Sequence, residues 1–307
     1  MDLTDKKILV TGGAGFIGSY TVNALIERGA RVVVVDNLST GRRENINPSA
    51  TFYDMNIADN NIRNVFDNER PEIVYHFAFN VLVPNSVKDP LIDMDSIAGS
   101  INILKNSKDL GVKKFIFASS GFVYGNTLNL PTKEDEPIDP VSPYVVAKNT
   151  VENYVKFFYK AYKLNYVILR YATVYGAGQT MGAMSDYIRK LSMGDQAEIW
   201  GDGSKTRDYL YIDDVVSANL KILDLEESLI NSIYNVGTGK ETTLNELYFK
   251  IADCIGKDAM PKYREDREGE LMRFCLDCSK IKKVLNWEPE YDLNKGLRGR
   301  LNIEGLI

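Results

Sequence analysis

The stretch with the clearest capacity for chemistry is Tyr144-Val145-Val146-Ala147-Lys148. At this spacing a tyrosine and a lysine share one face of a helix, one turn apart. An ammonium beside the phenol favours the phenolate and lowers the tyrosine pKa from its unperturbed value of about 10. Tyr144 is therefore a candidate general base near neutral pH. Upstream, Ala118-Ser119-Ser120-Gly121-Phe122 closes an apolar strand, and Ser120 can hydrogen-bond the same substrate oxygen. Tyr-x-x-x-Lys alone is common on exposed helix faces, so its meaning depends on what precedes it.

What precedes it is a glycine turn. Lys7-Ile8-Leu9-Val10-Thr11 is an apolar run, Gly12-Gly13-Ala14-Gly15 interrupts it, and Phe16, Ile17, Tyr20 and Leu25 then recur with helical period. This reads as strand, tight turn and helix. Gly12 allows the turn, Gly15 lets backbone N–H groups approach a pyrophosphate at the positive end of the helix, and Gly18 lets the helix lie close. A second apolar strand, Arg31–Asp36, ends in an acid placed where a ribose 2′-hydroxyl is bound. A carboxylate there repels a 2′-phosphate, which favours NAD over NADP. A nicotinamide cation near Tyr144 would lower its pKa further.

These residues need a scaffold that brings strand ends together. Apolar strands alternate with helices through the first half: Thr51–Asn56, a short helix near Ile62–Phe66, Ile73–Phe77, a helix from about Ser96 to Leu110, Lys114–Ala118, a helix from Pro143 to about Lys163, and Asn165–Leu169. That rhythm predicts an α/β fold, a Rossmann-type doubly wound parallel sheet. It breaks after Tyr171, where Gly176, Gly178 and Gly182 introduce shorter elements, and an apolar strand returns at Ile233–Val236. The charged C-terminal third reads as short elements. The expected division is an NAD-binding domain over 1–172 plus about 213–237. A smaller α/β C-terminal substrate lobe, over 173–212 plus 238–307, would sit at the ligand crevice of the sheet.

Composition excludes several classes. The 307 residues suffice for a large core, and 44% hydrophobic with 26% charged is ordinary for a soluble protein. A formal net charge of −5 argues against nucleic-acid partners and a polybasic membrane anchor. The chain runs straight into the first strand, with no secretory segment and no apolar stretch of membrane-spanning length, so a cytoplasmic location is expected. Three cysteines, Cys254, Cys275 and Cys278, argue against a disulfide framework. Cys275-x-x-Cys278 has metal-ligand spacing but lacks a second ligand pair. We read packed thiols in a late strand and turn, and no metal. The single histidine, His76, makes a His-based triad improbable and reads as a hydrogen-bonded structural residue.

Taken together, the motifs resemble the extended short-chain dehydrogenases/reductases, in particular the sugar-nucleotide epimerases similar to UDP-glucose 4-epimerase. The resemblance rests on Thr11–Gly18, Asp36-Asn37-Leu38-Ser39-Thr40-Gly41, His76-Phe77-Ala78, Ser119-Ser120, Tyr144–Lys148, Leu169-Arg170-Tyr171, Gly201-Asp202-Gly203 with Arg207-Asp208-Tyr209, Tyr234–Gly239 and Arg267-Glu268-Gly269-Glu270. It implies Ser120, Tyr144 and Lys148 as the catalytic set. It also implies an NAD site formed by Gly12, Gly15, Phe16, Ile17, Gly18, Asp36, Asn37, Ser39, Thr40, Gly41, Asn56, Ile57, Phe77, Ala78, Tyr144, Lys148 and Tyr171. Arg207 and Arg267 match arginines that clamp a nucleotide diphosphate, and Glu270 matches an acid on the nucleotide ribose.

Departures from the family pattern also matter. Asn56 stands where an acid is usual. Thr173 replaces an asparagine that contacts substrate phosphate, and it reaches less far. Phe79 and Phe122 replace residues that are usually small, so they should narrow the pocket beside the nicotinamide. Phe274 lies near the position that gates bulk at the sugar 2-substituent, and its size disfavours an N-acetyl group. Family dehydratases and decarboxylases carry ionisable groups just after the catalytic Ser/Thr; here Gly121 and Phe122 carry none.

The resemblance therefore implies NAD-dependent 4-epimerisation of a UDP-sugar, with UDP-glucose/UDP-galactose preferred. Epimerisation of another UDP-sugar (an N-acetylhexosamine or glucuronate), a nucleotide-sugar 4-ketoreductase and a non-catalytic NAD-binding regulator are the alternatives. Relatives pair two long helices across a two-fold axis. Val151, Tyr154, Val155, Phe158 and Tyr159 on the second such helix here suggest more apolar surface than one sheet face needs, hence a homodimer through a four-helix bundle.

Overall fold

Apolar runs in the first half pair as parallel strands because both their faces are covered. The computed structural model describes residues 2–81, 83–266 and 270–307. Its first half runs β1 (Lys7–Thr11), α1 (Phe16–Glu27), β2 (Arg31–Asp36), β3 (Thr51–Asp54), α2 (Ile62–Glu69), β4 (Ile73–His76), α3 (Val83–Lys88), α4 (Met94–Asp109), β5 (Lys114–Ser120), α5 (Pro143–Tyr162) and β6 (Tyr166–Tyr171). The rest comprises β7 (Thr173–Tyr175), α6 (Ala183–Met193), β8 (Glu198–Trp200), β9 (Thr206–Arg207), β10 (Tyr209–Tyr211), α7 (Ile212–Lys221), β11 (Ser232–Val236), β12 (Thr242–Thr243), α8 (Leu244–Ile255), β13 (Lys262–Arg264), α9 (Ser279–Leu285) and α10 (Leu293–Ile303).

Among the described residues one seven-stranded parallel sheet has the order β11-β6-β5-β4-β1-β2-β3. It is the expected doubly wound sheet. Alternate residues feed two layers: Ile8, Val10, Val32 and Val34 join the core on one face, and Leu9, Val33, Val35 and Phe117 join that on the other. Both faces being dry explains why β2 is a run of valines and not an alternating strand. Each buried valine contributes about 1.5–3 kcal/mol.

The order reverses at β1, which pairs with β2 on one side and β4 on the other, with Thr11 opposite His76. Chains leave these two strand ends in opposite directions, which opens a crevice there. His76 is fully buried, bonded through Nδ1 to the Thr11 hydroxyl at 2.6 Å and through Nε2 to the Ser100 hydroxyl at 2.8 Å. It is the structural histidine expected, and it ties the glycine turn to α4. Burial pulls its pKa down to about 3, with Lys148 adding to the shift.

Beyond the sheet, the described strands pair in twos: β7 with β10, β9 with β12, and β8 with β13. Three expectations need correction here. The C-terminal third is not all short elements: α8 has 12 residues and α10 has 11. α8 starts at a capping box, with Thr243 bonded to the Glu246 N–H and Glu246 reaching back. Cys275 and Cys278 are buried free thiols, but no regular strand holds them; a single bridge, Thr132 to Leu276, and the turn into α9 do. Hydrogen bonds from Thr132 and Asp277 N–H groups fix that short passage. Among the described residues no cluster of three metal-ligating side chains occurs.

The third correction concerns α5. Val151, Val155 and Phe158 are buried beneath the sheet face with α4, and Tyr159 is half-buried, so only Tyr154 of the five points outward. The outward apolar residues of this helix are Val146, Tyr154, Phe157 and Tyr162, each 38–49% exposed. No described helix is long and apolar enough to cross a membrane.

Candidate active site

The glycine turn is shaped by close contacts. Gly12 has φ +72°, and a Cβ there would lie 2.6 Å from the Ala78 nitrogen; a Cβ on Gly18 would lie 2.1 Å from the Gly12 carbonyl oxygen. Gly18 thus lets α1 sit directly on the turn. Gly15 caps α1 with no side-chain hydrogen bond, and no acid occupies the first helical turn. The positive end of the helix is left to an anion. Asp36, at the end of β2, braces this cradle: its carboxylate accepts from the Ala14 N–H at 3.0 Å and the Leu38 N–H at 2.9 Å. Gly41 closes the following loop over Ala14 and Asp36, where a side chain would clash.

One cavity of about 710 Å³ runs from this turn to the ends of β5 and β6. It brings together Gly12, Gly15, Phe16, Ile17, Gly18, Asp36, Asn37, Ser39, Thr40, Asn56, Ile57, Phe77, Ala78 and Tyr171 with Ser120, Tyr144 and Lys148. Gly41 does not line the cavity; it packs against Ala14 and Asp36 beside it. Asn56 accepts from the Ala58 N–H at 2.9 Å, so the amide does the local loop work an acid would do. Tyr171 is fixed by donating to Asn219 at 2.6 Å.

The far end carries the acid–base groups. Pro143 opens α5 at its first turn, where a missing N–H costs nothing, and this sets Tyr144 and Lys148 beside the end of β5. Ser120 accepts from the Phe122 N–H at 3.2 Å and stands beside the Tyr144 hydroxyl, whose pKa it lowers. The Lys148 ammonium is buried and donates to the Ala118 carbonyl at 2.7 Å. It lies 3.8 Å from the Phe79 ring centroid and 5.9 Å from that of Tyr144.

The expectation that Lys148 lowers the Tyr144 pKa is not met in this arrangement. Burial pushes the Tyr144 hydroxyl well above the ordinary tyrosine range, the buried Asp93 adds to the rise, and Ser120 opposes it. Burial likewise pulls the Lys148 ammonium down to about 7, against an upward pull from Glu152. The ammonium is committed to a carbonyl and a ring face, and its own charge is weakened by desolvation.

The remaining residues implied by the resemblance lie at a second surface. Among the described residues Thr173, Arg207, Glu270 and Phe274 do not line the cavity. Arg207 donates to the Thr206 and Leu271 carbonyls at 2.7 and 2.9 Å and lies 5.8 Å over the Phe122 ring. Phe274 packs edge-on against Phe122, centroids 4.6 Å apart, and fills the space a side chain at Gly121 would need. Phe122 thus joins this surface to the cavity it lines. Glu270 accepts from Lys205 at 2.8 Å. The Thr173 hydroxyl is buried, with no hydrogen-bond partner among the described residues. Arg267 lies outside the described residues.

Sequence reasoning missed a polar framework behind the site. Glu152 is fully buried, accepts from Ser119 at 2.6 Å and forms a two-pronged pair with Arg170 at 2.9 and 2.7 Å. Its signal was available: Tyr144, Lys148 and Glu152 continue one helix face at four-residue steps. Asp93, bonded to Asn80 at 2.9 Å and to Ser86, left no such signal, because a loop residue, a residue of the short α3 and the turn before α4 assemble it.

This geometry agrees with comparison to known proteins. The family model for the NAD dependent epimerase/dehydratase family matches residues 8–237. The chain belongs to that family. Its cofactor is NAD, which fits a glycine cradle closed to any Cβ and a helix N-terminus free of acids. A UDP-glucose 4-epimerase of Mycolicibacterium smegmatis is 35% identical, covering 95% of this chain and 96% of that protein. The Thermotoga maritima UDP-glucose 4-epimerase, solved with UDP-glucose, is 41% identical with a TM-score of 0.94, covering 97% of this chain and 98% of its own. A UDP-N-acetylglucosamine 4-epimerase of Methanobrevibacter ruminantium, in complex with UDP-N-acetylmuramic acid, is 32% identical with a TM-score of 0.92, covering 99% and 100%. The chain is a UDP-glucose 4-epimerase-like enzyme of this family.

Proposed function

We propose that this enzyme inverts C4 of a UDP-hexose, with UDP-glucose and UDP-galactose preferred, through a transient 4-keto sugar. The observation that carries the reading is the cluster of Ser120, Tyr144 and Lys148 at one end of the NAD cavity, followed by Gly121 and Phe122, which have no ionisable group. Such a site exchanges a proton at O4 and offers no second acid–base pair for elimination across C5–C6.

NAD, when bound, supplies a hydride acceptor and donor at the sugar C4. Gly12, Gly15 and Gly18 with the α1 N-terminus hold the pyrophosphate, and Asp36 holds the ribose. Phe16, Ile17, Asn37, Ser39, Thr40, Gly41, Asn56, Ile57, Phe77, Ala78 and Tyr171 complete the cofactor site. Tyr144 takes the proton of the C4 hydroxyl and returns it to O4 once the flat 4-keto sugar has turned its other face; Ser120 orients O4, and the charge of Lys148 favours the phenolate as it forms. Arg207 and Arg267 anchor the diphosphate, and Glu270 and Thr173 add polar contacts. Phe274, buried against Phe122, favours a 2-hydroxyl over a 2-N-acetyl group.

In this reading residues 1–172 plus about 213–237 hold the cofactor, and 173–212 plus 238–307 hold the nucleotide sugar, in a cytoplasmic enzyme. Val146, Tyr154 and Phe157 on α5 are the apolar surface for a homodimer through a four-helix bundle.

Incubation with UDP-galactose and no added NAD is expected to yield UDP-glucose. Net consumption of external NADH would show a 4-ketoreductase instead, and turnover of UDP-N-acetylglucosamine alone would move the preference to N-acetylhexosamines.

A further inference from the structure

The floor of the cavity contains an aromatic ring that the reaction itself does not call for. Phe79 lies three residues beyond the end of β4, and its ring centroid is 3.8 Å from the Lys148 ammonium, well inside the range of a cation–π contact. Its ring also meets Tyr144 edge-on, centroids 5.9 Å apart. One side chain thus touches both members of the Tyr–Lys pair. Phe117 stands behind, 5.0 Å from the same ammonium.

We propose that Phe79 is a positioning residue: its ring face, together with the Ala118 carbonyl, fixes the Lys148 ammonium and keeps it in the charged form required beside Tyr144. This rests on the role given to Lys148 above. The physical need is clear from the surroundings. Lys148 is about as buried as a core residue, and desolvation opposes its charge.

The charged groups around it are few. Glu152, one turn along α5, favours the ammonium but is shared with Arg170 on β6 and with Ser119. His76 on β4 is held neutral between Thr11 and Ser100. Asp93 is taken up by Asn80 and Ser86, and its charge acts on Tyr144. On β5 the ammonium finds a backbone carbonyl and an aromatic ring, and no acid. With one shared carboxylate nearby, the quadrupole of Phe79 is a substantial part of what offsets desolvation. A leucine or methionine would fill the same space and offer no negative face.

The test is a pH titration of Lys148 by side-chain ¹⁵N NMR in the full-length protein, assigned with Lys148→Met, all variants held in the same NAD state. Phe79→Leu is expected to lower the pH at which Lys148 loses its proton by about one unit, a roughly tenfold shift in its protonation equilibrium. Phe79→Met serves as the second aliphatic variant should Phe79→Leu misfold, and Phe79→Tyr, which keeps the ring, should titrate as the wild type. In turnover, the aliphatic variants should lower kcat more than they raise the KM for nucleotide sugar. Wild-type titration in both aliphatic variants, or an equal shift in Phe79→Tyr, would overturn the proposal. The titration uses no substrate, so failure to epimerise UDP-galactose refutes the proposed activity without bearing on this measurement.

Discussion

The parallel sheet and the two-stranded pairs that follow it solve the same problem differently. In the sheet, the cofactor crevice comes from repetition: valine-rich strands in register, dry on both faces, end side by side at Thr11 and His76. Beyond β7, buried charges do that work. Asp208 is fully buried and accepts from the Thr238 N–H at 2.9 Å, the Thr238 hydroxyl at 2.6 Å and the Gly239 N–H at 3.1 Å. Lys205, also buried, clamps Asp266 and Glu270. The contrast suggests that a site made by strand ends is held by hydrophobic burial, while one made by loops is held by satisfied polar groups.

Removing the acid–base group at the end of the cavity, which serves both regions, should have the largest effect. Tyr144→Phe is expected to lower kcat by about 10²–10⁴-fold, with circular dichroism and NAD content unchanged; full activity would remove Tyr144 as the base. Next comes the sheet side alone. Gly18→Ala places a methyl 2.1 Å from the Gly12 carbonyl, so α1 must shift. NAD affinity should fall on the order of 100-fold by calorimetry, while UDP binding stays. The smallest effect should come from the loop side. Asp208→Asn weakens charge-assisted bonds and should cost about 2 kcal/mol in denaturant unfolding. It should also raise the KM for nucleotide sugar about tenfold and leave NAD affinity alone. Equal loss of NAD binding in the Gly18 and Asp208 variants would show that the two regions are not separately held.

Legibility in the sequence follows the same division. β1, β2 and β5, the glycine turn, Asp36 and the Tyr144–Lys148 pair were readable because each is local: periodicity, a turn, an i,i+4 spacing. α3 was not, since Val83–Lys88 is a helix of under two turns whose stability comes from packing, not propensity. Nor were the positions of Cys275 and Cys278, which depend on a bridge to Thr132, well over a hundred residues earlier in the chain. Phe79 was readable only as bulk. Its contact with Lys148 joins a loop after β4 to a helix face far along the chain, and no local pattern carries that. The Tyr144 environment shows the same limit: spacing names a neighbour, and burial decides the proton.

The cavity is also lined by Gln179, and the way that residue is held has a consequence for how the molecule is made. Arg300 on α10 donates to the Gln179 side chain at 3.0 Å and to its carbonyl at 2.8 Å, across 121 residues of chain. The glycine turn, Tyr144 and strands β1 to β6 are all synthesised by residue 171, when those strands can pair. The wall beside them is fixed only when residue 300 arrives. Contacts of such separation form late and slowly. A nascent chain therefore has its dinucleotide cradle well before it has a closed reaction chamber.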